Sequence, residues 1–415
     1  MRLTGFLRDL LACRGHAGHG GGVCIIRPDG IGDYILFRPF LPLIRVMFPR
    51  LRLTLCANAA WAALSMRYDA GLVDKWVVVE RGRLKADSTY AADIFGTLRA
   101  EGFDVALNPL YSRDYLSDIL TFATRAARRE TPQGDLTNQP RLQWTVTGML
   151  YTARHTLPSS GHFEISRTHA FLERVAGRPL AFPPMAWPAE DVPPPSSGRP
   201  FVVFSLGASV PEKRWSARHH AEVAAWVTEH ARLDVVLCGG DDVRDLADAI
   251  MARLTVRLPR QDAPAPSENG IVGYGEDDMG SDDNRPRVVD AVGTMPLTDL
   301  PALLRRATAV VTHDSAVYHL ALACGRPTVC IADGRGWRRF TPWPADLPRL
   351  QGHAIGNEEG EEGSRPDGVC RHSSGPIVPA SAERSVCLNA DGALGPIDNV
   401  APTLVIEALD GMLRP

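Results

Sequence analysis

Residues 310–331 read VVTHDSAVYHLALACGRPTVCI. Two apolar runs enclose Thr312, His313, Asp314 and Ser315, and His319 follows one helical turn later. A strand that ends on such polar groups and then opens a helix leaves backbone N–H groups without intrahelical partners, and these attract anions. Ser315 is placed to cap that helix. A lone histidine at position 319 would belong to a core. In the company of Thr312, Asp314 and Ser315 it points instead to a phosphate site at a helix N-terminus.

Two further stretches carry polar chemistry at strand ends. In RPDGIGDYILFRPFLPLI (27–44) Gly30 and Gly32 sit in a strand-to-helix turn, where backbone can approach a ligand closely. Asp33 reads equally as a helix cap and as a carboxylate general base. The stretch is not a GxGxxG dinucleotide fingerprint, because no third glycine follows. In FSLGASVPEKRWS (204–216) a strand gives way to Gly207, then Ser209, Lys213, Arg214 and Trp215. Exposed N–H groups with a lysine and an arginine are how phosphate is held, although this is no Walker loop. Taken alone it would be a charged surface loop.

The elements that must position these groups alternate along the chain. VCIIR (23–27), LRLTLCA (51–57), KWVVVE (75–80) and FDVALNP (103–109) read as strands, with helical periodicity between them. After the Pro-rich segment 185–200 the alternation restarts with FVVFSLG, DVVLCGG, VVDAVG, TAVVTHD and PTVCIAD. The fold class expected is α/β, two doubly wound Rossmann-like domains facing across a cleft, with ligands at the carboxyl ends of the strands. The expected boundaries are a leader (1–22), an N-terminal domain (23–184), a linker (185–200) and a C-terminal domain (201–415), the final helix staying there or packing back on the first. Residues 258–287 and 356–369 read as acidic surface insertions.

The 415 residues carry a net charge of −3, with 45% hydrophobic and 22% charged residues. No global basic field marks a nucleic-acid partner. No run reaches the length of a membrane span. The leader's Leu3, Phe6, Leu7, Leu10 and Leu11 share one helical face, suiting a core-packed or frayed helix, with a weak membrane-surface anchor as the alternative. Of eight cysteines, Cys24, Cys56, Cys238 and Cys330 fall inside apolar strands, which suits a reducing compartment. No CxxC pair supports a zinc site. Cys370 and Cys387 read as ordinary thiols, or as a pair pinning a loop through a disulfide or a metal.

The segments IIRPDGIGDYILFRPFLPLIRVMFP, FSLGASVPEKRW, VVLCGGDD and VGTMPLTDLPALLRRATAVVTHDSAVYHLALACGRPTV, in this order, resemble the heptosyltransferase family, glycosyltransferase family nine. The resemblance runs from residue 23 to the last helix. It implies a GT-B fold and inverting, metal-independent transfer, classically of heptose from ADP-heptose to lipopolysaccharide core. It implies Asp33 as general base, Ser209 and Lys213 as the donor-phosphate loop, and Asp314, Ser315 and His319 as the grip on the donor's pyrophosphate and sugar. Met295 and Asp242 would lie near the nucleotide base. Gly32, Arg27 and Arg38 would face the acceptor, against the ordinary reading of both arginines as solvated surface residues. No cofactor is implied. The partners implied are a nucleotide-sugar donor and a glycan or glycolipid acceptor, in the cytoplasm, with peripheral inner-membrane contact. The chain departs from the family's pattern at Ala316, where a glycine is usual, at Ala208, and at DGRGWRRF (333–340), which replaces a Gly-Pro-Thr segment. A non-catalytic sugar-nucleotide binding protein on the same fold, or an epimerase, would be the rival readings.

Overall fold

The computed structural model describes residues 8–9, 12–13, 21–158, 163–188, 199–257, 286–344, 369–371, 385–389 and 395–414. Two compact units emerge, Met1–Pro184 with Asp346–Gly356, and Met185–Ala345 with Asn357–Pro415. The two expected insertions lie almost wholly outside the described residues.

Unit 1 is built on β1 (Gly22–Arg27), β2 (Arg52–Asn58), β3 (Lys75–Val79), β4 (Val105–Leu107), β5 (Arg128–Pro132) and β6 (Ala153–His155). Their spatial order is β3-β2-β1-β4-β5-β6, and every pairing is parallel. The continuous apolar run of β1 suits its central place, since all six of its residues are buried. Between the strands run α1 (Ile31–Phe37), α2 (Leu41–Met47), α3 (Ala59–Tyr68), α4 (Arg81–Ala86), α5 (Ser88–Ala100), α6 (Tyr115–Ala123) and α7 (Arg141–Gly148), and α8 (Glu164–Ala176) follows β6. In the leader Cys13 is fully buried, Arg99 Nη1 donates to the Ala12 carbonyl at 3.0 Å, and Tyr115 Oη donates to Asp9 at 2.7 Å, while Arg8 is exposed.

Unit 2 repeats the plan with β7 (Phe201–Ser205), β8 (Asp234–Cys238), β9 (Val288–Asp290), β10 (Ala309–His313), β11 (Thr328–Ala332), β12 (Val369–Arg371) and β13 (Val386–Asn389). The order β12-β13-β11-β10-β7-β8-β9 is parallel except for the edge strand β12. Its helices are α9 (Ala217–Trp226), α10 (Arg244–Arg257), α11 (Leu300–Arg306), α12 (Ala316–Ala323) and α13 (Pro402–Leu413). Val405, Leu409 and Met412 of α13 pack into the core that the sheet of this unit shares with Trp215, Val223 and Ile250.

Two expectations are corrected here. The segment read as linker begins with ordered chain: Met185 and Trp187 are buried, and Trp187 N–H donates to the Ala323 carbonyl at 2.8 Å. A proline-rich stretch hides the anchoring of a single tryptophan, because no periodicity marks it. Cys370 stands opposite Cys387 in the β12–β13 ladder, yet Cys387 carries a free buried thiol, which removes the disulfide reading.

Candidate functional site

In each sheet the strand order reverses beside a central strand, and ligands of such sheets bind outside the carboxyl ends at that point. In unit 1 the reversal lies between β1 and β4, and in unit 2 between β7 and β10. The turn after β1 carries Asp33. The loop after β7 carries Ser209 and Lys213, and the turn after β10 carries Asp314 and Ser315.

The β1–α1 turn is heavily tied down. Asn58 Nδ2 donates to the Pro28 and Asp29 carbonyls at 3.1 and 2.9 Å, and Trp61 Nε1 donates to the Asp29 carbonyl at 3.0 Å. Arg81 Nη1 donates to the Pro28 carbonyl at 3.0 Å. Arg27 is 2% exposed and directs its guanidinium to Asp29 Oδ2 at 2.6 Å and the Asp33 carbonyl at 2.7 Å. Asp33 stays half-exposed, and its Oδ2 accepts from Gly30 N–H at 3.3 Å. The carboxylate thus sits on a rigid turn, long-bonded to its cap and open to solvent. Its neighbour Asp29 is different. Burial first, then the charge of Asp33, push it up to about 8, with Arg27 opposing.

In unit 2 two of the side chains expected to hold phosphate meet. Lys213 Nζ lies 3.3 Å from Asp314 Oδ2, one residue before the N-cap of α12. Ser315 is that N-cap, with extended backbone, but its side chain makes no capping bond. Its Oγ lies 3.3 Å from Thr312 Oγ1 instead. The first-turn N–H groups of α12 therefore keep no side-chain cap. Ser209 is exposed on the same loop as Lys213. His319 is 4% exposed, and its Nδ1 accepts from Trp343 Nε1 at 3.0 Å. An indole N–H can only donate, so the imidazole proton sits on Nε2. Burial pushes His319 down to about 3, so it is neutral and adds no charge. Burial raises the Asp314 carboxyl, and Lys213 opposes that rise.

Three residues of this site escaped the sequence reading of roles. Gly336 comes from the segment after β11 that departs from the family's pattern (333–340), and Trp343 lies just beyond it. Any Cβ on Gly336 would lie 2.3 Å from Asp314 Oδ2, so glycine is required for the backbone to approach that carboxylate. The third is His313, fully buried at the end of β10. Its Nε2 accepts from Trp215 N–H at 3.0 Å, and its Nδ1 reaches the Gly207 carbonyl at 3.4 Å. One imidazole thus ties both ends of the loop that carries Ser209 and Lys213.

This has a pH consequence. Burial pushes His313 and His319 down to about 3 and His220 to about 4, from an ordinary value of 6.5. Below pH 6.5 the unfolded chain takes up protons that the folded unit refuses, so stability is lost as pH falls from 6.5 toward the folded values. Each histidine is worth about 2 kcal/mol between pH 6.5 and 5. We expect the melting temperature to fall steeply over that window, and His313→Asn to flatten the fall while lowering the value at pH 7. A melting curve indifferent to pH between 7 and 5 would rule out the neutral buried imidazoles.

Other expected site residues stand apart. Arg38 is 7% exposed and pairs with buried Asp69 at 2.8 Å. Neither Arg38 nor Arg27 is a solvated surface residue. Both are held by internal carboxylates, so neither presents a free guanidinium to an acceptor. Asp242 follows β8 and pairs with Arg214, and Met295 follows β9 half-buried, both on the carboxyl edge of the sheet. Among the described residues no group of three or more His, Cys, Asp or Glu could hold a metal ion, and no helix is long and apolar enough to cross a membrane.

The model of glycosyltransferase family 9 (heptosyltransferase) matches residues 163–263 and 281–345, which include the β7 loop, the β10 turn and α12. No curated protein sequence matches the chain. Three solved structures share the two-unit fold. ADP-heptose lipopolysaccharide heptosyltransferase II of E. coli is 19% identical with a TM-score of 0.58, covering 94% of this chain and 98% of that one. A glycosyl transferase family 9 protein of Veillonella parvula is 15% identical with a TM-score of 0.61, covering 97% and 99%. The E. coli heptosyltransferase WaaC, solved with ADP, is 13% identical with a TM-score of 0.59, covering 94% and 99%. The fold is that of these GT-B enzymes, the heptosyltransferase resemblance seen in the motifs holds, and together they support a glycosyltransferase.

Proposed function

We propose that this glycosyltransferase is inverting and moves a sugar, heptose by its resemblance, from a nucleoside-diphosphate sugar to a lipopolysaccharide-core or related glycan acceptor without a metal. The observation that carries the donor half is the Lys213–Asp314 pair beside the uncapped start of α12. A cation and oriented N–H groups on one spot suit a pyrophosphate. The neighbour solved with ADP, and the one whose name specifies ADP-heptose, make an adenine nucleotide the first donor to test.

In the step proposed, the acceptor hydroxyl attacks the anomeric carbon and its proton passes to Asp33. The bond from that carbon to the diphosphate oxygen breaks, and the electron pair leaves with the nucleoside diphosphate. Lys213 and the α12 N–H groups offset the charge that develops there, and His319 Nε2–H donates without carrying charge. Ser209 lies within the same loop for a further phosphate hydrogen bond. A glycolipid acceptor would bring this enzyme to the inner face of the membrane as a peripheral, cytoplasmic protein.

Titration with ADP, UDP and GDP, followed by a transfer assay with the sugar nucleotide that binds, tests the reading. Absence of binding by any nucleoside diphosphate would end it. Saturating chelator should leave transfer within about twofold of the untreated rate, because a lysine and a helix start occupy the place a cation would fill. Activity lost to chelator and restored by a divalent ion would contradict metal independence.

A further inference from the structure

The carboxyl edge of the unit 1 sheet carries a second polar cluster that the transfer step above does not use. Arg113, in the loop after β4, is 0% exposed. Its Nη1 lies 3.4 Å from Asp118 Oδ1, but Nε and Nη2 are buried without any hydrogen-bond partner. Asp118 also accepts from Thr147 Oγ1 at 2.5 Å, Tyr151 Oη at 2.6 Å and Gln139 Nε2 at 3.1 Å, and its pairing with Arg113 leaves those two nitrogens unmet. Trp144, on α7, has its Nε1 buried and unpartnered as well. Its ring lies 5.4 Å from the Arg113 guanidinium carbon and 5.6 Å from that of Arg154.

The two guanidiniums converge on one place. A Cβ built on Gly148, at the end of α7, would lie 2.8 Å from Arg154 Nη1 and 3.5 Å from Arg113 Nη2. Like charges brought together repel, and buried N–H groups left unpaired are costly, so a fold keeps such an arrangement for a reason. An oxyanion removes both penalties at once. It would take the free Nε and Nη2 of Arg113, the Nη1 of Arg154 and the indole N–H of Trp144. Gln139 Oε1, also buried and unpartnered, would accept from a hydroxyl on the same group.

The cluster adjoins the Asp33 turn. Arg81 donates to the Pro28 carbonyl at 3.0 Å on one side and to Asp114 Oδ2 at 2.5 Å on the other, and Asp114 is the residue after Arg113. We propose that Arg113, Arg154 and Trp144 form an oxyanion subsite, for a phosphate or carboxylate group, and that in transfer it receives the anionic group of the acceptor. The second clause rests on the proposed function, and the first does not.

The test uses the full chain with ADP at saturation, so that added anion cannot be read at the donor site, and ionic strength held constant with chloride. The probe is inorganic phosphate, and the readout is the indole N–H signal that disappears in Trp144→Phe. We expect phosphate to shift that signal saturably, and Arg154→Gln, a change at an exposed side chain, to weaken the titration at least about tenfold, the effect of one lost charge-assisted hydrogen bond. An indole signal unmoved by phosphate, or an Arg154→Gln protein that titrates like the parent, overturns the subsite. Failure of ADP to bind speaks against the transfer reading alone, and the phosphate titration then runs without it. With a working assay, citrate or another carboxylate in place of phosphate separates the two ligand sources, and Arg154→Gln should raise the acceptor KM with the donor KM unchanged.

Discussion

Asp33→Asn should turn over at least about a hundredfold more slowly than the parent while binding ADP equally well. Asparagine keeps the shape of the side chain and can still accept from Gly30 N–H, the contact that Asp33 makes at 3.3 Å. The turn itself should survive, because Asn58, Trp61, Arg81 and Arg27 hold it through backbone carbonyls and Asp29 rather than through the Asp33 carboxylate. What the substitution removes, on the proposed function, is the carboxylate that takes the acceptor's proton. It also removes a negative charge beside Asp29, so the buried Asp29 carboxyl, pushed up to about 8 in the parent, should titrate lower. A pH–rate profile of the residual activity reads that second effect. Near-parental turnover in the Asp33→Asn enzyme would leave Asp33 as a helix cap and revive the reading of a protein that binds sugar nucleotides without turning them over.

The parts legible in the sequence are those where burial and periodicity agree. β1, β7, β10 and β11 are short apolar runs, and all four are wholly buried at the centres of their sheets. β5 and β6 show the opposite. RRETP and ARH look nothing like core strands, yet Glu130 is 5% exposed and compensated by Arg128 and by His155 Nε2 at 2.8 Å. A buried charge satisfied by a partner about 25 residues away leaves no trace in a hydrophobic pattern. The same reason hides the Asp118 network.

The candidate site divides in the same way. Asp33, Lys213, Asp314 and Ser315 announce themselves because polar residues at a strand end have few structural excuses. His313 stands among the same polar groups, but its role did not show. Its two bonds, to Trp215 N–H and the Gly207 carbonyl, depend on a loop 98 residues earlier in one case and 106 in the other. Gly336 was visible only as part of a departure from the family's pattern, and Trp343 not at all. The structure gives each a role, because Trp343 fixes the His319 tautomer and Gly336 lets backbone reach Asp314.

Lys213→Ala should weaken binding of nucleoside diphosphate by about 1.5–3 kcal/mol, roughly 10- to 150-fold, and leave binding of the free nucleoside unchanged. The effect has two sources that can be separated. The first is loss of the charge-assisted contact to phosphate. The second is Asp314, whose carboxylate is 3.3 Å from Lys213 Nζ and 7% exposed at its side chain. Without the lysine it faces the pyrophosphate as an uncompensated like charge, in surroundings of low polarity where repulsion is strong. Lys213→Ala with Asp314→Asn should therefore bind diphosphate better than Lys213→Ala alone, although more weakly than the parent. Such non-additivity is expected of two groups in contact, and its appearance with ADP but not with adenosine ties the pair to the pyrophosphate. His319→Ala should act in the same direction by less, because a neutral imidazole offers a single N–H. Titration calorimetry with ADP and adenosine on the four proteins of the cycle gives the answer. Equal losses for ADP and adenosine, or strictly additive effects of the two substitutions, would place the pyrophosphate away from the Lys213–Asp314 pair.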